Sequence, residues 1–180
     1  MTQELQAEGD RILLRSFDTS LITDSYLSWL HNPEVNQYLL KPDAETSLED
    51  IRSYVDSLQT SGKDHFLAII LKEENRHIGN VRLGPFDEKA GICQYSMMIG
   101  DASCHGKGLG TEVVATALKL CFDTLNFRKV FLDVIEGNKA AIRIYEKNNF
   151  LTEGILRQHK WLNGELHDLR IMSIFNPSVE

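Results

Sequence analysis

ICQYSMMIGDASCHGKGLGTEVVATALKLCFDTL, residues 92–125, is the stretch on which the fold turns. Its first part, 92–99, is β-rich and reads as a strand. Residues 100–110 form a loop dense in glycine. From 111 to 125, Val113, Val114, Ala117, Leu118, Cys121, Phe122 and Leu125 fall on one helical face. Gly106, Gly108 and Gly110 alternate just before that helix, leaving a backbone free of Cβ atoms. Free amides and the positive end of the helix dipole then converge, which is how a diphosphate is held without many basic side chains. A glycine turn that merely caps a helix is the plainer alternative, and the setting between a strand and a long amphipathic helix favours phosphate. The spacing is neither a P-loop, since Lys107 is followed by Gly108, nor the dinucleotide fingerprint GxGxxG.

Downstream, RKVFLDVI (128–135) reads as a strand and NKAAIRIYEKN (138–148) as a helix with Asn138 as N-cap. Asn138, Ala141 and Tyr145 share one face of it. A small residue between an amide and a phenol leaves room for a long ligand; a cap and a packing phenol would also fit. The end is a strand pair, 150–157 and 166–175, with a hairpin signal at Asn163–Gly164. Upstream lie a strand at 11–17 and a helix at 21–30, with Pro33 interrupting the chain beyond that helix. A second helix starts from Thr46 or Ser47, with Ile51, Tyr54, Val55 and Leu58 on one face. HFLAIIL (65–71) and HIGNVRL (77–83) then form a meander. The expectation is a single α+β domain over 1–180, with its core at about 11–175. Its sheet is mixed, mostly antiparallel and twisted, with six to seven strands and about four helices.

The chain has 180 residues, 42% hydrophobic and 25% charged, with a formal net charge of −7. One core is enough for a chain of this length. Residues 1–90 hold nine basic and 16 acidic side chains, net −7, while residues 91–180 hold ten of each. An acidic balance of this kind speaks against nucleic acid as a partner. Cys93, Cys104 and Cys121 cannot all pair and form no CxxC, which fits a reducing compartment and no metal site. The polar, acidic N-terminus is no secretory signal, and no apolar run suits a membrane span. The expected setting is the cytoplasm, as monomer or homodimer.

HGKGLG (105–110) and NKAAIRIYEKNNF (138–150) together resemble the GNAT acetyltransferase superfamily. Its acetyl-CoA loop reads Q/R-x-x-G-x-G/A and its next motif N-x-x-A-x-x-x-Y-E-K-x-G-F. Within it, WLHNPEVNQYL (29–39) and ILRQHKWLNGELHDLRIMSI (155–174) resemble the ribosomal-protein acetyltransferase branch, which also takes in amino-sugar and small-molecule enzymes. His105 replaces the usual Gln or Arg. Asn149 replaces the usual Gly, and Asn is the next best residue for a left-handed turn.

The resemblance implies an acetyl-CoA-dependent N-acetyltransferase acting on a primary amine. The acceptor would be a small molecule (amino sugar, polyamine or aminoglycoside-like) or a protein N-terminus. It implies a bulged fourth strand aiming a backbone N–H of Met97, Met98 or Ile99 at the thioester carbonyl. His105, Gly106, Lys107, Gly108, Leu109, Gly110, Thr111, Asn138 and Ala141 would hold acetyl-CoA, and Tyr145 would protonate the leaving sulfur. Asn32, Glu34, Asn36, Tyr38, Gln94, His159, Trp161 and His167 would line the acceptor side. Many relatives carry a Glu where this chain has Gln94, and an amide takes no proton at neutral pH. Glu34, His159, His167, Asp168 or a water chain would then serve as base. The competing reading is a non-catalytic acyl-CoA-binding module.

Overall fold

A computed structural model of the chain describes residues 4–39 and 46–179. These form one eight-stranded sheet in the order β1-β2-β3-β4-β5-β6-β8-β7. Its strands are β1 (Gln6–Glu8), β2 (Ile12–Ser16), β3 (His65–Leu71), β4 (Arg76–Asp87), β5 (Ile92–Ile99), β6 (Lys129–Ile135), β7 (Leu151–Leu162) and β8 (Glu165–Phe175). Every pairing is antiparallel except β5 with β6. The helices are α1 (Asp24–His31), α2 (Pro33–Asn36), α3 (Leu48–Thr60), α4 (Leu109–Lys119) and α5 (Lys139–Lys147). A wider π turn, Leu120–Thr124, continues α4.

Both faces of the sheet are covered at its centre, where the strands are apolar on both sides. HFLAIIL of β3 is buried through all five inner residues, as a central strand must be. On one face α4 and α5 bury Val113, Val114, Ala117, Ile142 and Tyr145 against Cys93, Tyr95, Val130 and Leu132. On the other, Tyr26, Trp29, Ile51, Val55 and Leu58 of α1 and α3 pack on Phe66, Ala68 and Ile70. Ser47 opens α3 with a full capping box, its side chain taking Asp50 N–H while Asp50 takes Ser47 N–H.

The α+β class and mixed sheet are as expected, with one more strand and one more helix. β1 is the extra strand: QAE has no apolar alternation and exists through its backbone pairing with β2. α2 is the extra helix. Pro33 starts a short turn rather than ending one, because Asn32 caps it and Pro33 occupies the first helical position.

The bulge is also elsewhere. The strand expected to carry it is β5, whose ladder with β4 is regular from Tyr95 to Ile99. The register slips instead between Leu83 and Phe86, so the extra residue lies on β4. Pro85 sits in that interval and has no N–H to give the ladder.

Candidate active site

β5 and β6 pair only over Ile92–Gln94 and Lys129–Phe131. Beyond that, Tyr95–Ile99 and Leu132–Ile135 run on without pairing to each other, and the sheet opens between them. Backbone donors and acceptors on those strand edges are therefore left for a ligand to use.

The glycine loop ends at the mouth of this opening. α1, α2, α3 and α5 each begin with a side chain that accepts a helix N–H: Thr23, Asn32, Ser47 and Asn138. α4 begins at Gly108, in the left-handed region at φ 77°, and no side chain caps it. Its first amides stay available, with the dipole behind them.

The rest of the loop is held from outside. His105 Nε2 donates to the Ile99 carbonyl at 2.8 Å, which folds the loop back on the end of β5. Arg11 Nη1 donates to the Lys107 carbonyl at 3.0 Å. The C=O and N–H of a trans peptide point opposite ways, so drawing Lys107 C=O toward Arg11 turns Gly108 N–H away from it.

Gly110 is where three motifs meet. A Cβ there would lie 2.8 Å from Ile144 Cδ1, 3.6 Å from Met97 Cε and 3.7 Å from Ile99 Cδ1. The absence of that Cβ lets the start of α4, the end of β5 and α5 pack together. Asn148 Nδ2 reinforces the junction by donating to the carbonyls of Ile144 (2.9 Å) and Thr111 (3.3 Å). On α5, Asn138 Oδ1 caps Ala141 N–H at 3.1 Å. Tyr145 is buried on the α4–α5 face, with its ring edge-on to Tyr95 (centroids 6.2 Å apart) and tilted against Phe150. Burial first, and then the charge of Asp133, push its phenol well above the ordinary value. Tyr95 is buried as well, its hydroxyl without a partner among the described residues.

On the opposite face, Gln94 Nε2 donates to Asp133 Oδ1 at 2.5 Å. Asp133 was not anticipated from the sequence. The available signal was a lone acid inside KVFLDVI, at a position that alternates with the core-facing Val130, Leu132 and Val134.

The other acceptor-side residues fall into two groups. Tyr38 packs with Ile135, Leu162, Leu169 and Ile171, and its hydroxyl donates to Gly137 O at 3.3 Å. Asn163 Nδ2 donates to Gln37 O at 3.2 Å, tying the β7–β8 turn to the end of α2. Tyr38, α2 and the hairpin thus form one wall. Asn32 and Asn36 are engaged locally: Asn32 Oδ1 caps Glu34 N–H, and Asn36 Nδ2 donates to Leu30 O. Glu34, His159 and Trp161 are exposed, while His167 Nε2 donates to Leu162 O at 3.3 Å.

Asp168 has a structural task. β7 bulges between Leu156 and Lys160, with Gln158 at φ 47°. Asp168 Oδ1 takes Gln158 N–H at 2.8 Å and its Oδ2 takes Arg157 Nη1 at 2.5 Å. Those bonds, the backbone one foremost, hold its carboxyl below the usual range and suit it poorly to accept a proton.

Comparison with known proteins agrees with this architecture. The sequence matches the acetyltransferase (GNAT) domain family over residues 11–151. It is 32% identical over 133 residues to the probable N-acetyltransferase YjcK of Bacillus subtilis, covering 72% of this chain and 71% of the relative. Among solved structures, a spermidine N-acetyltransferase from Vibrio cholerae in complex with CoA and spermine superposes with a TM-score of 0.83, at 20% identity. That match covers 92% of this chain and 96% of the other. The ribosomal-protein-S5-alanine acetyltransferase from Vibrio fischeri superposes with a TM-score of 0.82, at 15% identity, covering 98% and 99%. With a splayed parallel strand pair, an uncapped glycine entry to α4 and a family match across most of its length, the chain belongs to the GNAT acetyltransferases, enzymes that take their acetyl group from acetyl-CoA.

Proposed function

We propose that the enzyme acetylates the primary amine of a cationic small molecule, with polyamines as the leading class. Amino sugars, aminoglycoside-like amines and protein N-terminal amines are the other acceptors of the same chemistry. The observation that carries the choice is charge. Residues 1–90, which supply α1, α2 and α3 over the acceptor face, hold the whole net charge of −7. A field of that sign gathers cations. The solved neighbour from Vibrio cholerae, named for spermidine, supports the same class.

In this reading the amides of Gly106, Lys107, Gly108, Leu109, Gly110 and Thr111 grip the diphosphate, and His105 holds their loop in place. Met98 and Ile99 offer backbone groups along the open edge of β5, one N–H meeting the developing oxyanion. Asn138 and Ala141 line the side of α5 toward the co-substrate. Tyr145 donates its proton to the departing sulfur, a transfer its retained proton permits at neutral pH. Asn32, Glu34, Tyr38, Gln94, His159 and His167 border the acceptor. The enzyme works in the cytoplasm, where its three free, buried cysteines stay reduced. No helix among the described residues is long and apolar enough to cross a membrane.

The test is thiol release from acetyl-CoA against spermidine, glucosamine, an aminoglycoside and a peptide with a free N-terminus. The expected result is the highest kcat/KM for spermidine, falling as salt screens the attraction. Glucosamine or the peptide preferred over spermidine would overturn the assignment.

A further inference from the structure

We propose that Asp133, held by Gln94 at the opening between β5 and β6, is the carboxylate that receives the acceptor's ammonium group and takes its proton. This rests on the reading of the protein as an amine acetyltransferase and names the residue that reading lacks.

Three observations converge on Asp133. First is position. The β5–β6 pairing ends at Gln94 and Phe131, and Asp133 lies two residues further along β6, where that strand no longer pairs with β5. Second is facing. Val130, Leu132 and Val134 point into the core beneath α4 and α5, so Asp133 points to the other face with Ile135. Ile171, its partner on β8, packs with Tyr38, Leu162 and Leu169 on that same face. The carboxylate therefore stands on the acceptor side, while Tyr145 stands on the α4–α5 side. The two stand on opposite faces of the sheet, and the charge of Asp133 helps keep the phenol protonated.

The third observation is bonding. Among the described residues, the Gln94 amide is the hydrogen-bond donor to Asp133, and it engages Oδ1. Asp133 is half-buried and no ion pair reaches it among those residues, whereas Glu112, Glu136, Glu153 and Asp168 are each tied to a cation. A half-buried carboxylate with one oxygen steadied and no cationic partner is a ready site for an ammonium ligand. Gln94 cannot accept the proton itself. Its amide turns the Asp133 carboxylate so that Oδ2 is the oxygen left to the ligand.

The transfer then balances. The ammonium gives one proton to Asp133 Oδ2, freeing the nitrogen lone pair. That pair forms the N–C bond at the thioester carbonyl, and the C–S bond breaks with its electrons going to sulfur. Tyr145 O–H supplies the proton that sulfur takes. The second N–H proton, lost as the amide forms, restores the phenol through solvent, and Asp133 releases its own proton to water. The sum is one amide, one thiol and one proton.

The test is Asp133→Asn, alone and combined with Gln94→Glu. The double variant exchanges amide and carboxylate across the same hydrogen bond. With spermidine, Asp133→Asn is expected to lower kcat/KM by about 100-fold or more, with calorimetric acetyl-CoA affinity and Tm within error of wild type. The exchange variant is expected to recover about tenfold or more of that loss. Spermidine binding to the CoA complex, followed by calorimetry, should weaken about tenfold in Asp133→Asn. Unchanged kcat/KM and spermidine affinity in Asp133→Asn would overturn the assignment. So would a fall in acetyl-CoA affinity matching the fall in activity, or an exchange variant no better than the single one. A wild-type enzyme that releases thiol with other amines but neither acetylates nor binds spermidine would overturn the polyamine assignment instead. The same two variants, measured with the preferred amine, would then judge Asp133.

Discussion

Glu112, in the first turn of α4, wraps the backbone and side chain of Arg11. Its Oε1 accepts the N–H of Arg11 at 2.6 Å and of Ile12 at 3.2 Å, while its Oε2 takes Arg11 Nε at 2.8 Å. Burial alone would raise this carboxyl, but these bonds and the Arg11 charge hold it below the usual range. The start of β2 is thereby fastened to the start of α4, and the free end of the same guanidinium reaches the Lys107 carbonyl. Arg11 thus links the edge of the sheet to the loop that presents the amides.

Removing that link should loosen the loop without dissolving the fold. Arg11→Ala forfeits the bond to Lys107 O and one of the bonds to Glu112. If the loop must then be ordered by the ligand, acetyl-CoA affinity should fall about tenfold, the equivalent of one lost hydrogen bond of ~1.4 kcal/mol. Calorimetry on a variant whose thermal midpoint is preserved is the measurement. Unchanged affinity would show that the loop is ordered without Arg11.

Gly108 and Gly110 should respond differently to a larger residue. Gly108 is left-handed, and a Cβ there meets only Arg11 Nη2, at 3.7 Å. Gly108→Val would cost about 1–2 kcal/mol in backbone strain and would crowd the approach of a diphosphate. Its chief effect should be on acetyl-CoA affinity. Gly110→Val drives a side chain into Ile144, Met97 and Ile99. Overpacking of that kind costs about 1–3 kcal/mol, so it should appear first as a lowered Tm. Measuring Tm and Kd on both variants separates the roles.

Tyr145→Phe keeps the ring against Tyr95 and Phe150 and removes only the hydroxyl. With chemistry rate-limiting, kcat should fall by about 10²–10⁴-fold while acetyl-CoA affinity is retained. Stability should change little, since the packing survives. Equal turnover would make Tyr145 a core residue and no more.

What could be read in advance was local. Asn163 and Gly164 sit at φ 50° and 84°, and Asn149 at φ 65°, because few residues tolerate that region and these two types do. β3 matches HFLAIIL residue for residue, since an unbroken apolar run between turns has few alternatives. What escaped was tertiary. β1 is polar and exists only as a partner for β2. Asp133 acquires its meaning from Gln94, 39 residues earlier, through a strand pairing that no local pattern announces. Asp168 looked like an available acid in a hairpin, yet a bulge on the neighbouring strand had already engaged both its oxygens.

Acid should weaken the fold at a definable place. Glu136, after β6, takes Arg170 Nε at 2.7 Å and Nη2 at 2.9 Å, and Lys139 Nζ at 2.8 Å. Arg170 also donates to Thr152 at 3.1 Å, so the cluster joins β8, β7 and the start of α5. The bonds from Arg170, then from Lys139, lower the Glu136 carboxyl from 4.5 to about 2. A carboxyl lowered on folding adds stability that is fully present above its unfolded value and is lost as pH falls through its folded one. The contribution should therefore hold at neutral pH and fade between about pH 4.5 and about pH 2. The site is open to water, so the amount should be near ~1 kcal/mol rather than the full shift. Urea midpoints of wild type and Glu136→Gln should differ at pH 7 and converge as the pH approaches about 2. A gap that persists unchanged at low pH would mean that Glu136 stabilises the fold by packing, not by charge.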